Sequence, residues 1–278
     1  MLFYSLASAC EYLYHYTTIA TLLDKILPER SLRMSSLAQT NDPREFKSWK
    51  FDLGTNRYFS EESDSEWAAL EKATTLAKDS FKVICFTADS PNSAGMKVDH
   101  IWERGYCRPR MWAQYAERAP DRMGVCLVFD RVGLESKLRA SAPRETQIFK
   151  GYVVYRNRSQ APSLVNNPFI LDYDLLKARG SEEAIRVHVE RYNKELFFQK
   201  AIDWSHEAEY RYLLWDRERD AHIFSFGSTL KGLVLGPSLP EGKLHELKRY
   251  YRQGDLDIGQ LNWNNGTPEV KPVLIPPN

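Results

Sequence analysis

The chain has no glycine-rich phosphate loop, no G-x-S-x-G elbow and no H-E-x-x-H pair. Those gaps exclude the familiar routes to P-loop nucleotide hydrolysis, α/β-hydrolase chemistry and zinc-dependent proteolysis. The 14 glycines are spread out and form no Rossmann fingerprint. Histidine is scarce, and the 6 present are too scattered to build a metal site from close pairs. The 4 cysteines, Cys10, Cys85, Cys107 and Cys126, make no C-x-x-C pair. Cys85 and Cys126 sit in apolar β-like runs, as small buried hydrophobes of a reducing cytosol do. An excess of one charge is lacking too: 38 Lys+Arg stand against 37 Asp+Glu, so no global basic field draws nucleic acid. No apolar run reaches transmembrane length. The first ten residues lack a basic start and read as a first helix or strand, not a signal peptide. A cytoplasmic protein without a membrane partner is the expectation.

Apolar and aromatic residues are plentiful. Hydrophobic residues make up 43% and aromatic residues 13%, enough for a substantial core. With 7 Trp and 15 Tyr, some rings are expected to line a pocket. Residues 12–17, 31–36, 82–87, 124–130, 151–155, 230–235 and 270–275 read as strands. Residues 43–80, 110–116, 171–200 and 239–251 read as helical, and 88–109 as a long polar loop. Trp204 to Leu214 reads as a turn leading into a strand. Without regular βαβ spacing or a composition break, the order predicts a single α+β domain over 1–278. Its core is a mixed, mainly antiparallel sheet, with two packed sheets as an option.

The run Tyr12-Leu13-Tyr14-His15-Tyr16-Thr17 places a histidine where a strand should end. Thr17 or Thr18 can cap the helix that follows and leave free N–H groups beside His15. Ser35 and Ser36 end the next strand and add donors and acceptors. Asn41-Asp42-Pro43 suits a turn and helix start, with Glu45 at capping-box spacing from Asp42. It also permits Asp42 or Glu45 to face a cleft. A lone histidine at a strand end serves equally well as a hydrogen-bonded structural residue.

Glu207-x-Glu209-x-Arg211 is the second informative element. Strand alternation puts the three charges on one face. They make either a solvated edge or a site in which one carboxylate stays ionised toward a developing cation. An oxocarbenium-like sugar centre needs such a partner. Trp112 and Tyr115, at i and i+3, share a helix face. They belong either to the core or to an aromatic wall for a base or nicotinamide ring.

Several segments together resemble an uncharacterised bacterial family, domain of unknown function 2971. They are Leu13-Tyr14-His15-Tyr16-Thr17, Leu32 to Ser36 with Asn41 to Glu45, Cys85-Phe86-Thr87, Met111 to Ala116, Gly124 to Asp130 and Trp204 to Arg211. That family implies no activity. A second resemblance, to the ADP-ribosyltransferase superfamily, rests on His15-x-Thr17 before a helix, a second strand and a late Glu-x-Glu. It implies that His15 holds the nicotinamide-side ribose of NAD, Ser35 or Ser36 shapes the nicotinamide pocket, and Glu209 or Glu207 bonds the ribose 2′-hydroxyl. The spacing from Ser36 to Glu207 is long for that superfamily, and no Ser-Thr-Ser triplet is present.

The expectation is therefore an NAD-consuming ADP-ribosyltransferase-like enzyme, a toxin or phage-defence effector. His15, Glu207 and Glu209 carry the chemistry. Tyr16, Thr17, Ser35, Ser36, Asn41, Asp42, Trp112, Tyr115 and Arg211 surround the ligand. The acceptor is a nucleic acid or a protein, and a cognate antitoxin or defence partner is expected. Two alternatives stand beside it. One is a nuclease holding magnesium through Asp42, Glu45 and Glu207 or Glu209. The other is a non-catalytic nucleotide sensor. If His15 and Glu209 line one pocket, an active site is expected; if they lie on opposite sides, the enzyme reading fails.

Overall fold

The computed structural model describes residues 11–40, 49–54, 64–89, 101–116, 123–156, 167–217, 220–247, 249–250 and 256–273. Strand β1 (Tyr12–Thr18) sends Leu13 to one face and Tyr14 and Tyr16 to the other. Thr18 closes it and caps the next helix, its hydroxyl accepting from the Thr21 N–H. That helical run comprises α1 (Ile19–Thr21), a π-helical turn Leu22–Ile26 and α2 (Leu27–Glu29), and buries Ile19, Leu22, Leu23, Ile26 and Leu27. Strand β2 (Ser31–Ser36) and a 3-10 turn, Leu37–Gln39, follow.

Next come β3 (Asp52–Gly54), α3 (Asp64–Asp79) and β4 (Phe81–Ala88). After a 3-10 turn at Ile101–Glu103, α4 (Pro109–Met111) continues into a π-helical turn, Trp112–Ala116. Strand β5 (Gly124–Asp130) leads into α5 (Arg131–Ser141), capped by the Asp130 carboxylate. Then follow β6 (Ile148–Tyr152), β7 (Val154–Tyr155), β8 (Ile170–Asp172), α6 (Tyr173–Phe197) and β9 (Gln199–Lys200). A 3-10 turn, Ile202–Glu207, introduces β10 (Glu209–Trp215), β11 (Ala221–Ser225) and β12 (Leu230–Leu235). Helix α7 (Glu241–Leu247) and the hairpin β13 (Asp257–Asn264) and β14 (Thr267–Pro272) complete the described chain.

The α+β expectation holds. Ten strands form one continuous sheet, mainly antiparallel, with β12 and β13 parallel. Two small parallel pairs, β3 with β8 and β7 with β9, lie apart from it. Several local expectations are corrected. Of the helix expected over 43–80, the described residues form α3 from Asp64 to Asp79, with β3 at Asp52–Gly54 before it. The helix expected over 171–200 starts after β8, ends before β9 and kinks at Gly180 and Tyr192. Within the described residues the last helix is shorter than 239–251, and the strand expected over 270–275 starts three residues earlier, as β14. The run 151–155 breaks at Val153, whose N–H turns to the Glu209 carbonyl.

One sheet face packs Leu13, Ile84, Phe86, Leu127, Phe129 and Tyr212 under the 19–29 helical run, α5 and α7. The other face carries two separate cores. One joins Phe81, Val83 and Leu213 to α3 and α6. The other joins Tyr14, Tyr16, Cys126 and Val128 to segment 106–112. Each fully buried large side chain here is worth about 1.5–3 kcal/mol of transfer free energy.

The sheet forks at β4. Strand β1 pairs with β4 only at Leu13–Ala88 and Tyr14–Thr87, while β2 pairs with the same edge only at Ser35–Val83 and Ser36–Lys82. Ile84, Cys85 and Phe86 lie at the vertex between them. Strand β10 runs unbroken along the other edge, from Glu209–Thr87 to Trp215–Phe81.

Candidate active site

A cavity of about 250 Å³ occupies this fork. Its walls come from β1 (Tyr14, His15, Tyr16), β4 (Val83 to Thr87), the α4 segment (Met111, Tyr115) and four charged residues, Lys200, Glu207, Glu209 and Arg211. Arg33, Gln39 and Thr40 complete it. Ligand pockets run roughly 300–1,000 Å³, so this one accepts a ring-sized group more readily than a whole dinucleotide.

The charged floor follows from local sequence. Glu209 and Arg211 alternate on β10 with Tyr210, Tyr212 and Leu214, which go to the opposite core. Across the pairing, Glu209 faces Thr87 and Arg211 faces Cys85. Those small partners leave room for two long side chains. Ala208 adopts a left-handed conformation, φ 46°, which ends the 3-10 turn. This reversal brings Glu207 from the turn and Glu209 from the strand to one cation, Lys200.

Lys200 Nζ donates to Glu207 at 2.6 Å and to Glu209 at 3.4 Å, and lies 4.6 Å from the Trp204 ring centroid. Arg211 grips Glu209 through Nε and Nη2 and donates Nη1 to the Phe197 carbonyl. The Tyr115 hydroxyl donates to Glu207 at 2.7 Å, and the Glu209 N–H donates to the Tyr155 hydroxyl at 2.8 Å. All four charged residues are at most 7% exposed. Two positive charges balance two negative ones, which is what makes their burial tolerable. Burial raises the Glu209 carboxyl, but Arg211 and Lys200 outweigh it and hold the group down at about 2. Burial, with the Glu207 and Glu209 charges behind it, pushes the Tyr115 hydroxyl up, so it stays protonated and donates.

His15 reaches the cavity by another route. Its ring packs with Phe86, at 5.7 Å, on the face away from Glu209, and Nδ1 lies 3.4 Å from the Cys85 carbonyl. Burial lowers the imidazole, and the Cys85 contact only partly offsets this. His15 and Glu209 thus come from opposite sheet faces yet line one cavity, because the fork opens through the sheet. Two hydroxyls in the wall, Thr40 Oγ1 and Thr87 Oγ1, are buried without a hydrogen-bond partner among the described residues. An orphaned buried hydroxyl costs about 1–3 kcal/mol. Arg33 is exposed and is the cation that the four buried charges do not balance.

The α4 segment is latched over this floor. Asp89 is fully buried and accepts from the Gly105 N–H at 2.8 Å, from Arg104 and from the Tyr14 hydroxyl.

Of the residues singled out from sequence, His15, Tyr16, Tyr115, Glu207, Glu209 and Arg211 meet in the cavity. Glu207, Glu209 and Arg211 are not a solvated edge, and Glu207 lies in the turn, off the strand. Thr17 lies on β1 opposite Val125, away from the lining. Ser35 pairs in the sheet, and Ser36 caps the 3-10 turn and donates to the Lys78 carbonyl. Trp112 is core, with its indole N–H on the Tyr106 carbonyl and its ring edge-on to Tyr16. Asn41, Asp42, Pro43 and Glu45 lie outside the described residues. Sequence reasoning missed Lys200, Arg33, Thr40 and Thr87. Lys200 was legible only as the end of a helical run. Cys85 forms part of the cavity wall and is half-buried, whereas Cys126 is fully buried as expected.

The fold and site define a mixed α+β protein with a cavity at a forked sheet and a buried four-charge floor. Residues 111–212, from the α4 segment into β10, match a family described as a protein of unknown function (DUF2971). The match bears out the resemblance to that family over this stretch, which contains Tyr115, Lys200, Glu207, Glu209 and Arg211. No curated protein and no solved structure matches the chain.

Proposed function

We propose that the cavity takes the nicotinamide–ribose end of NAD, and that the protein is an ADP-ribosyltransferase-like enzyme acting in the cytoplasm as a toxin or phage-defence effector. The observation that carries the reading is the Glu207–Lys200–Glu209 cluster on the floor of a ring-sized cavity that His15 and Tyr115 also line. Glu209 is anchored and ionised throughout the physiological range, as stabilisation of an oxocarbenium centre requires. The glycosidic C–N bond breaks, and nicotinamide leaves with the electron pair. A nucleophile on a nucleic acid or protein then attacks the ribose carbon. Glu207 keeps lone pairs beyond those used by Tyr115 and Lys200, and accepts the nucleophile's proton. Arg33, at the cavity wall, favours an anionic remainder such as a diphosphate.

The magnesium-nuclease alternative is less well supported, because a metal ion would have to displace Lys200 and Arg211 from the carboxylate oxygens they hold. Among the described residues no cluster of three His, Cys, Asp or Glu could hold a metal ion.

The test is incubation with NAD labelled in the adenylate moiety, with cell extract as acceptor source. Nicotinamide release and label transfer, both lost in Glu209→Gln and His15→Ala variants that remain folded, are expected. Absence of both from folded wild-type protein rejects the proposal. Toxicity on expression that is indifferent to both substitutions would favour a non-catalytic sensor.

A further inference from the structure

A second constellation lies on the sheet face away from the glutamates. Its histidine, His222, sits on β11 opposite Met34 and is fully buried. Its Nδ1 is 3.2 Å from the Asp216 carboxylate, itself 3% exposed. Its Nε2 is 3.0 Å from the hydroxyl of Ser141, the half-buried last residue of α5. Carboxylate, imidazole and hydroxyl therefore stand in hydrogen-bonding line, the first two buried and the hydroxyl half-buried. With Asp216 accepting from Nδ1–H, Nε2 is the ring atom turned to Ser141.

A helix cap alone does not explain this arrangement. The Ser141 hydroxyl also lies 2.8 Å from the Leu138 carbonyl, and that contact needs no buried histidine behind it. The single hydroxyl proton has two acceptors in reach, Leu138 O and His222 Nε2. Burying a His–Asp couple carries a desolvation cost that capping would not require.

We propose that Asp216, His222 and Ser141 form a nucleophilic relay, a second reactive site that takes an activated acyl or phosphoryl group. In the acyl case the Ser141 Oγ–carbon bond forms as its proton passes to His222 Nε2. The bond to the leaving alkoxide breaks, and that proton leaves with it as the alcohol. Water then reverses the sequence and releases the acid. The triad is recognised by geometry and not by chain order, here Ser…Asp…His.

The experiment exposes the full-length protein to a biotinylated fluorophosphonate. Serine oxygen displaces fluoride from phosphorus, and intact mass and peptide mapping locate the adduct. One adduct on Ser141 is expected, absent in Ser141→Ala, and formed at least ~100-fold more slowly in His222→Asn. Folding of both variants is checked by circular dichroism. If His222→Asn does not fold, the rate at Ser141 in the wild type is compared with the protein's other serines and must exceed them by the same margin. Ser141 labelling no faster than those serines, or His222→Asn labelling at the wild-type rate, overturns the proposal.

Discussion

Arg211 holds Glu209 from two residues further along the same strand, with two guanidinium nitrogens on the two carboxylate oxygens. Both side chains are nearly fully buried. The pair is a product of strand alternation, which puts residues i and i+2 on one face. It favours the ionised form of Glu209 at the floor of the cavity.

Stability should therefore fall in acid in a defined window. Folded Glu209 titrates at about 2, against 4.5 for the free group. The unfolded chain binds the proton more readily, so stability rises with pH across this interval. The contribution is complete above about pH 4.5 and is lost as pH falls through 2. Its size is on the order of 3 kcal/mol. Urea midpoints measured from pH 6 downward should drop most steeply below 4.5. A midpoint that stays flat down to pH 3 would contradict the anchored-anion picture.

Glu209→Gln should destabilise the fold by about 3–5 kcal/mol, because it leaves Arg211 buried with a neutral partner. Arg211→Met should cost a similar amount. The double variant should cost less than the sum, with a coupling of about 1–3 kcal/mol between the sites. A denaturant double-mutant cycle measures this. Strict additivity would mean that the two groups do not form a pair in solution.

Gly105→Ala tests the latch that holds the α4 segment over the cavity. A Cβ at this position would overlap the Tyr14 ring. The Gly105 N–H is bonded to Asp89 and its carbonyl to the Tyr16 hydroxyl, so the backbone cannot easily yield. Overpacking of this kind costs about 1–3 kcal/mol, and each kcal/mol lowers Tm by roughly 2–4 °C in a chain of this size. Calorimetry should show the drop.

The strong local signals were legible from sequence. Gly124 to Asp130 is a continuous apolar run bounded by turn residues, and it folds as β5 over those same residues. Strand β13 was missed because Asp257, Gly259, Asn262 and Asn264 dilute its pattern. The turn that pairs it with β14 is Asn265-Gly266, both with positive φ, a hairpin signal that was available in the sequence. The site was half legible. Glu207, Glu209 and Arg211 stand close in sequence, so their proximity could be read. Lys200 and Thr87 could not, because they meet only through the pairing of β10 with β4 and the exit of the chain from α6. Trp112 was ambiguous because an aromatic at i, i+3 spacing serves a core as well as a pocket. Tertiary contacts with Tyr16 and Gly236 decide for the core.

Thr87→Val separates a ligand site from a merely tolerated defect. The Thr87 hydroxyl is buried beside Tyr14 and Glu209, with no hydrogen-bond partner among the described residues. Valine keeps the branched shape and removes the unmet hydrogen bond, so the ligand-free protein should gain about 1 kcal/mol. If the hydroxyl awaits a ligand, the same change should weaken NAD-dependent stabilisation in a thermal-shift titration. The loss of one good hydrogen bond corresponds to about 2–13-fold in affinity, from a net worth of roughly 0.5–1.5 kcal/mol. The expected signature is a higher baseline Tm together with a smaller shift on adding NAD. A higher baseline with an unchanged shift would leave Thr87 outside the binding contacts, and a lower baseline would mean that the hydroxyl is satisfied in solution.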